Sequence, residues 1–191
     1  MMTNTMILRT MEKPRLSVKV QTLAAIAAVA GAVAVPQIFH AFGAALGLGT
    51  ALGELFLPMH LPILLVGLLA GPYAGAAAGM IGPLVSFALS GMPGITMLPF
   101  MMLELCVYGL AAGLLRNVKL PVIMKVLFAQ IAGRAIRAIA IFAAVYGLGS
   151  ENIPIASIWM SIGTGIYGIL LQWALLPVIV HLVERMKNEE P

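Results

Sequence analysis

The sequence predicts an all-α integral membrane protein, a six-transmembrane-helix bundle with both termini cytoplasmic. Three observations carry that expectation. Hydrophobic residues make up 61% of the 191 and charged residues only 9%, too few charges to cover so apolar a core in water. Apolar runs of about 20 residues, the length that crosses a bilayer, recur along the chain. Lys and Arg gather in alternate connections, the pattern that keeps positive charge on the cytoplasmic side.

The first span is read over residues 18–39. The stretch that follows, HAFGAALGLGTALGELF, is apolar but glycine-rich and poor in helix propensity, so 40–57 is read as a long loop. A short second span, 59–70, stops at Gly71-Pro72. The third, 73–90, ends at SGMPG, and the fourth covers 96–115. The fifth runs over 122–146 and the sixth over 155–183. The domain reading is a tail over 1–17, one membrane domain over 18–183 and a tail over 184–191.

With this topology Arg9, Lys13, Arg15, Lys19, Arg116, Lys119, Lys125, Arg185 and Lys187 fall on the cytoplasmic side, and the outer loops carry only Glu54 and Glu151. The basic balance therefore reports membrane orientation, and no nucleic acid partner is expected. A lone Cys106 gives neither a disulfide framework nor a cysteine zinc site. The basic residues, apolar run and AVA at 32–34 share features with a signal peptide. The basic region is long and the chain stays apolar afterwards, so a retained first helix is expected. GLGTALG at 47–53 has the wrong glycine spacing for a dinucleotide fingerprint, and no Walker phosphate loop occurs. The chain is not expected to be an enzyme, and no cofactor or metal is expected.

Small residues four apart, Ala24 with Ala28, Ala27 with Gly31 and Ala28 with Ala32, give the first span a smooth face that another helix can approach closely. That helix belongs either to the same bundle or to a partner subunit. Gly67, Gly71, Gly75 and Gly79, and Gly109 with Gly113, are read as tight packing within the bundle.

Ionisable groups inside a membrane cost about 2.5–3.5 kcal/mol each on insertion scales, so each needs a reason. Glu104, Arg134 and Arg137 stand out. Gln130, Arg134 and Arg137 share one face of the fifth span. By helical rise Glu104 lies about 10 Å, Arg137 about 13 Å and Arg134 about 18 Å below the outer surface. Glu104 and Arg137 thus sit at matching depth for a pair. One carboxylate cannot neutralise two guanidiniums, which leaves one able to take a carboxylate, phosphate or carbonyl of a ligand. Tyr108, Met97, Met101, Asn152 and Trp159 surround this layer and suit a flat organic ligand. Trp173 and Gln172 lie deeper and are read as core; His181 is read as interfacial. His60, in FLPMHLP, is read as part of a hinge between loop and helix, with ligand contact and helix-end capping both open. Zinc is disfavoured there, only His40 and Glu54 lying near in sequence.

The small-residue first span, FLPMHLPILLVGLLAGP, SGMPG and MLPFMMLELCVYGLAAGLL, in that order, resemble the substrate-binding S component of energy-coupling factor (ECF) transporters. The likeness spans about 18–183. It implies binding of a vitamin or related micronutrient at the outer face, in the cytoplasmic membrane of a prokaryotic cell. The partners it implies are a transmembrane T component and two cytoplasmic ATPases, as in an ABC importer. It further implies docking of the T component on Ala24 and Ala28, extended by Gly31 and Ala32. The substrate site it implies includes Glu104, Arg137, Tyr108, Met97, Asn152 and Trp159, to which the intramembrane charges add Arg134 and the hinge adds His60. Corrinoids, pyridoxal-type vitamins, pantothenate and queuosine precursors all stay open as substrates. The competing readings are an autonomous ion-gradient-driven transporter with Glu104 as coupling group, and a membrane enzyme. No inverted repeat supports the first, and no nucleophile or metal arrangement supports the second.

Overall fold

The computed structural model describes residues 16–189, without the side chains of 161–162 and 187–189. Eight α-helices follow in order: α1 (Val18–Ala45), α2 (Ala51–Phe56), α3 (His60–Ala70), α4 (Pro72–Ser90), α5 (Leu98–Leu114), α6 (Val122–Phe142), α7 (Ser157–Thr164) and α8 (Ile166–Glu189). The described residues contain no strand, and six stretches are long and apolar enough to cross a membrane. They are Val18–Ala45, Ala51–Ala70, Pro72–Ser90, Leu98–Asn117, Val122–Gly147 and Ile166–Met186. The all-helical, six-span architecture is therefore the one the sequence predicts. The tail read over 1–17 lies almost wholly outside the described residues, and residues 184–189 are the helical end of α8.

Ser17 starts α1 by accepting the Val20 N–H on its side chain at 3.4 Å, satisfying one of the orphan donors of a helix start. At 28 residues α1 is about 42 Å long, more than the roughly 30 Å of hydrocarbon it must cross. It thus continues past 39, where the sequence reading ended it, because Ala41, Ala44 and Ala45 are good helix formers. Gly47 and Gly49, both at positive φ, turn the chain back into α2, so the stretch read as one loop holds a helix end and a short helix.

Between α4 and α5 the backbones nearly touch. A Cβ on Gly75 would overlap the carbonyl of Gly109, and one on Gly109 would overlap Gly75. Only glycine at both positions permits this approach, which gains dispersion where the hydrophobic effect gives helices nothing. The main core, with Ile63, Leu64, Leu105, Tyr108, Ala112, Val126, Ala129 and Leu176 all essentially inaccessible, joins α3, α5, α6 and α8. A second small cluster, Phe100, Ile141 and Ile153, packs the first turn of α5 against the end of α6.

The sixth span departs from the expectation. Residues 155–183 do not make one helix: α7 stops at Thr164 and α8 begins at Ile166. Gly163 and Gly165 flank Thr164, and two glycines so close weaken a helix by about 1 kcal/mol each.

Candidate functional site

A cavity of about 330 Å³ opens at the end of the bundle where α1 and α2 fold over α4, α5 and α6. Its wall is contributed by Pro36 and His40 of α1, Gly53 and Glu54 of α2, and the Leu57–His60 corner. Ser86 of α4, the loop at Met92–Gly94, Met97, Met101, Arg137 and Thr164 complete it. Most of this lining is apolar, with a few polar groups converging on it, the usual make-up of a small-molecule site.

The polar floor is built from two helices held by one glycine. Glu104 on α5 is fully buried. Its Oε2 accepts from Arg137 Nη1 of α6 at 2.9 Å, and its Oε1 accepts from the Tyr108 hydroxyl at 3.2 Å. Tyr108 fits because Gly133 of α6 has no side chain: a Cβ there would overlap the phenol ring. His60, 2% exposed at the start of α3, meets Tyr108 edge-on with ring centroids 5.4 Å apart. The depth matching of Glu104 and Arg137 is thus realised as an ion pair. Breaking a fully buried pair by removing one partner costs about 3–5 kcal/mol, and less is expected here because Arg137 is partly exposed to the cavity.

Arg137 serves the pair and the cavity at once. Its side chain is 15% exposed and lines the cavity wall. Two nitrogens of the lining, Nδ1 of His40 and Nε of Arg137, are enclosed and make no hydrogen bond to any described residue, and Nδ1 of His60 has no more than a poorly aligned contact with the Leu57 backbone. Buried polar atoms are nearly always satisfied, so these nitrogens leave hydrogen-bonding capacity unmet around one cavity.

Not every residue expected there arrives. His60, Met97 and Arg137 line the cavity; Glu104 and Tyr108 lie in the floor behind Arg137. Arg134, one turn further in on α6, does not reach the cavity wall but stands within electrostatic range of His60 and Tyr108. Asn152 is exposed, and Trp159 is 72% exposed and off the cavity. The break after α7 frees this segment from the span it was read in, so Trp159 takes a position suited to the membrane–water boundary, where Trp is enriched.

Sequence reasoning missed Pro36, His40, Glu54, Ser86, Met92 and Thr164. Ser86 carried a signal, a small polar residue within an apolar span. His40 and Glu54 carried another, lying at either end of the glycine-rich stretch.

The alanine stripe of α1 packs within the bundle, one of the two alternatives its spacing left open. Ala28 is 7% exposed and Ala32 fully buried, Ala24 packs partly against the same core, and Gly31 faces Pro62. A Cβ on Gly82 would lie 3.4 Å from that of Ala32. This stripe is the seam that packs α1 on α3 and α4, and the spacing that reveals a smooth face does not say which neighbour meets it. Deeper still, Gln130 donates to Gln172 at 2.8 Å and accepts from Trp173 Nε1 at 2.8 Å, so these residues form a buried hydrogen-bonded cluster between α6 and α8.

Six membrane-crossing helices with a small, polar-floored cavity at one end define a membrane protein built to hold a small molecule. A family model described as "ECF transporter, substrate-specific component" matches residues 18–180. The chain belongs to that family: it is a membrane transport subunit that works with other ECF components. No curated protein and no solved structure matches it in the corresponding searches.

Proposed function

We propose that this chain captures a water-soluble vitamin or related micronutrient in the α1–α2-covered cavity. It then passes the ligand to the cell interior with a T component and two cytoplasmic ATPases, in the cytoplasmic membrane of a prokaryotic cell. The observation that carries the reading is the set of enclosed nitrogens with unmet or poorly met hydrogen bonds, His40 Nδ1, Arg137 Nε and His60 Nδ1, around one cavity. Placement of the cavity on the outer face rests on the distribution of Lys and Arg. Its volume, about 330 Å³, falls at the lower end of the range for small-molecule sites. That favours compact substrates such as pantothenate, a pyridoxal-type vitamin or a queuosine precursor over a macrocyclic corrinoid. Arg137, Glu104, Tyr108, His60 and Met97 are the proposed substrate-site residues, joined by His40, Glu54, Ser86 and Thr164, with Arg134 acting on them electrostatically from behind the wall. Asn152 and Trp159 are left out, being exposed away from the cavity.

Docking of the T component on α1 is proposed for its outward face. Leu23, Ala27, Ala30 and Ala34 are exposed there, whereas Ala28 and Ala32 are consumed within the bundle. Ala30 and Ala34 keep the four-residue small spacing that close helix approach needs.

The test is binding of radiolabelled pantothenate, pyridoxal and a queuosine precursor to the purified chain, followed by uptake into vesicles with and without the T component and ATPases. Saturable binding by the chain alone, with uptake only when the partners and ATP are present, is the expected result. Uptake by the chain alone, driven by an ion gradient, would replace this reading with an autonomous transporter.

A further inference from the structure

At the opposite end of the bundle, α5, the turn that follows it and the start of α6 build a second polar recess of about 220 Å³. Its walls include Arg116, Lys119, Lys125 and Glu184, with Leu68 and Val180 as apolar backing. Arg116 follows Met97 of the cavity wall by 19 positions along one nearly continuous helix, about 28 Å by helical rise. That distance is close to the thickness of bilayer hydrocarbon, so the recess lies at the other membrane surface.

Among the described residues three cations and one carboxylate line it, and that carboxylate, Glu184, stands within electrostatic range of Arg116. Arg116 is only 8% exposed, yet its Nε is enclosed and makes no hydrogen bond to any described residue. Lys125, 7% exposed, donates from Nζ to the Arg116 carbonyl at 2.9 Å, which ties the two basic residues together. Val122 of the wall is the first residue of a 21-residue helix, whose N-terminal N–H groups and dipole favour an anion. Burying an arginine whose Nε has no partner is costly, and a guanidinium, ammonium groups and a helix start together match a phosphate oxyanion.

We propose that this recess is a binding site for a phosphate group, carried either by the headgroup of an anionic lipid or by a small soluble phosphate. Leu68 and Val180, both buried in the core, back the recess, and Lys119 stands exposed at its rim. The site is independent of the cavity at the other end and of what that cavity binds.

The experiment is native mass spectrometry of the purified full-length protein after exchange with equal amounts of phosphatidylglycerol and phosphatidylcholine. A thermal-shift series with inorganic phosphate against chloride, at matched ionic strength, runs beside it. Selective retention of phosphatidylglycerol is expected. It should fall roughly tenfold in Arg116→Gln, from loss of a charge-assisted contact, and about fivefold in Lys119→Gln, from loss of one surface cation. It should rise in Glu184→Gln and stay unchanged in Lys19→Gln, which removes an exposed cation of α1 outside the recess. If lipid selectivity is absent but inorganic phosphate raises the melting temperature of wild type and not of Arg116→Gln, the source is soluble phosphate and the site stands. Should Arg116→Gln fail to fold, Lys119→Gln and Glu184→Gln decide the matter with opposite signs. Equal lipid retention and equal phosphate response across all variants would overturn the proposal.

Discussion

Helix α5 meets its two neighbours by opposite means. Toward α4 it offers Gly109 and the backbone near Leu105, and the two helices touch main chain to main chain with no charge between them. Toward α6 it offers Glu104 and Tyr108, and the contact is an ion pair and a hydrogen bond closed over Gly133. The first interface tolerates no added atom and has one way to fit. The second spends desolvation energy on a charge pair whose arginine also faces a cavity. The contrast teaches that α4–α5 is the fixed frame and α5–α6 the working layer, with glycine the device that permits both.

The largest expected effect is at the frame. Gly109→Leu forces a side chain into the Gly75 main chain, and backbone cannot yield as a side chain can. The destabilisation should exceed about 4 kcal/mol, read as loss of monodisperse protein on size-exclusion chromatography. Recovery of stable Gly109→Leu protein would dissolve the distinction between the two faces of α5.

Next comes the pair. Glu104→Ala leaves the partly buried Arg137 without its carboxylate and should cost about 2–3 kcal/mol, less than breaking a fully buried pair, measured as a fall in melting temperature. Glu104→Gln combined with Arg137→Met removes both charges and should recover most of that loss, while ligand binding stays impaired. A double variant no more stable than Glu104→Ala would show that the pair does not act as a unit.

The two sides of α1 sharpen the comparison further. Ala32→Trp should destabilise the isolated chain, since its site is fully buried. Ala30→Trp should leave the isolated chain folded and binding ligand, and should lower co-purification with the T component about tenfold or more. Equal effects of the two substitutions on folding would remove the outward face as a docking surface. The smallest effect is predicted for Trp159→Ala, within about twofold in ligand affinity, because the indole is exposed away from the cavity and surface changes seldom matter. A larger loss in an equilibrium binding assay would place Trp159 back at the site.

These residues also show what the sequence makes legible. Six apolar spans and the depth of Glu104 and Arg137 follow from counting, because helical rise converts position into depth and a bilayer fixes the length required. Tyr108 follows from Glu104, lying four residues on along the same face. The rotation of each helix about its axis does not follow from counting, which is why the Ala28–Ala32 stripe turns inward and Ala30 outward. Apolar residues cover both the lipid and the core face, so polarity gives no inside and outside. The break at Thr164 escapes for a related reason: glycines weaken a helix without forbidding it, and Gly67 and Gly79 stay inside helices. His40, Glu54 and Ser86 come together only when α1 outruns the membrane and α2 folds back. That is a tertiary event with no local pattern.

The most direct test of the central account is native mass spectrometry of the purified chain, wild type beside the Glu104→Gln/Arg137→Met double variant, with identification of any small molecule that co-purifies. The account predicts a compact vitamin-like compound retained by the wild type and absent from an equally folded double variant. Equal retention by both, or a ligand too large for a cavity of about 330 Å³, would contradict it.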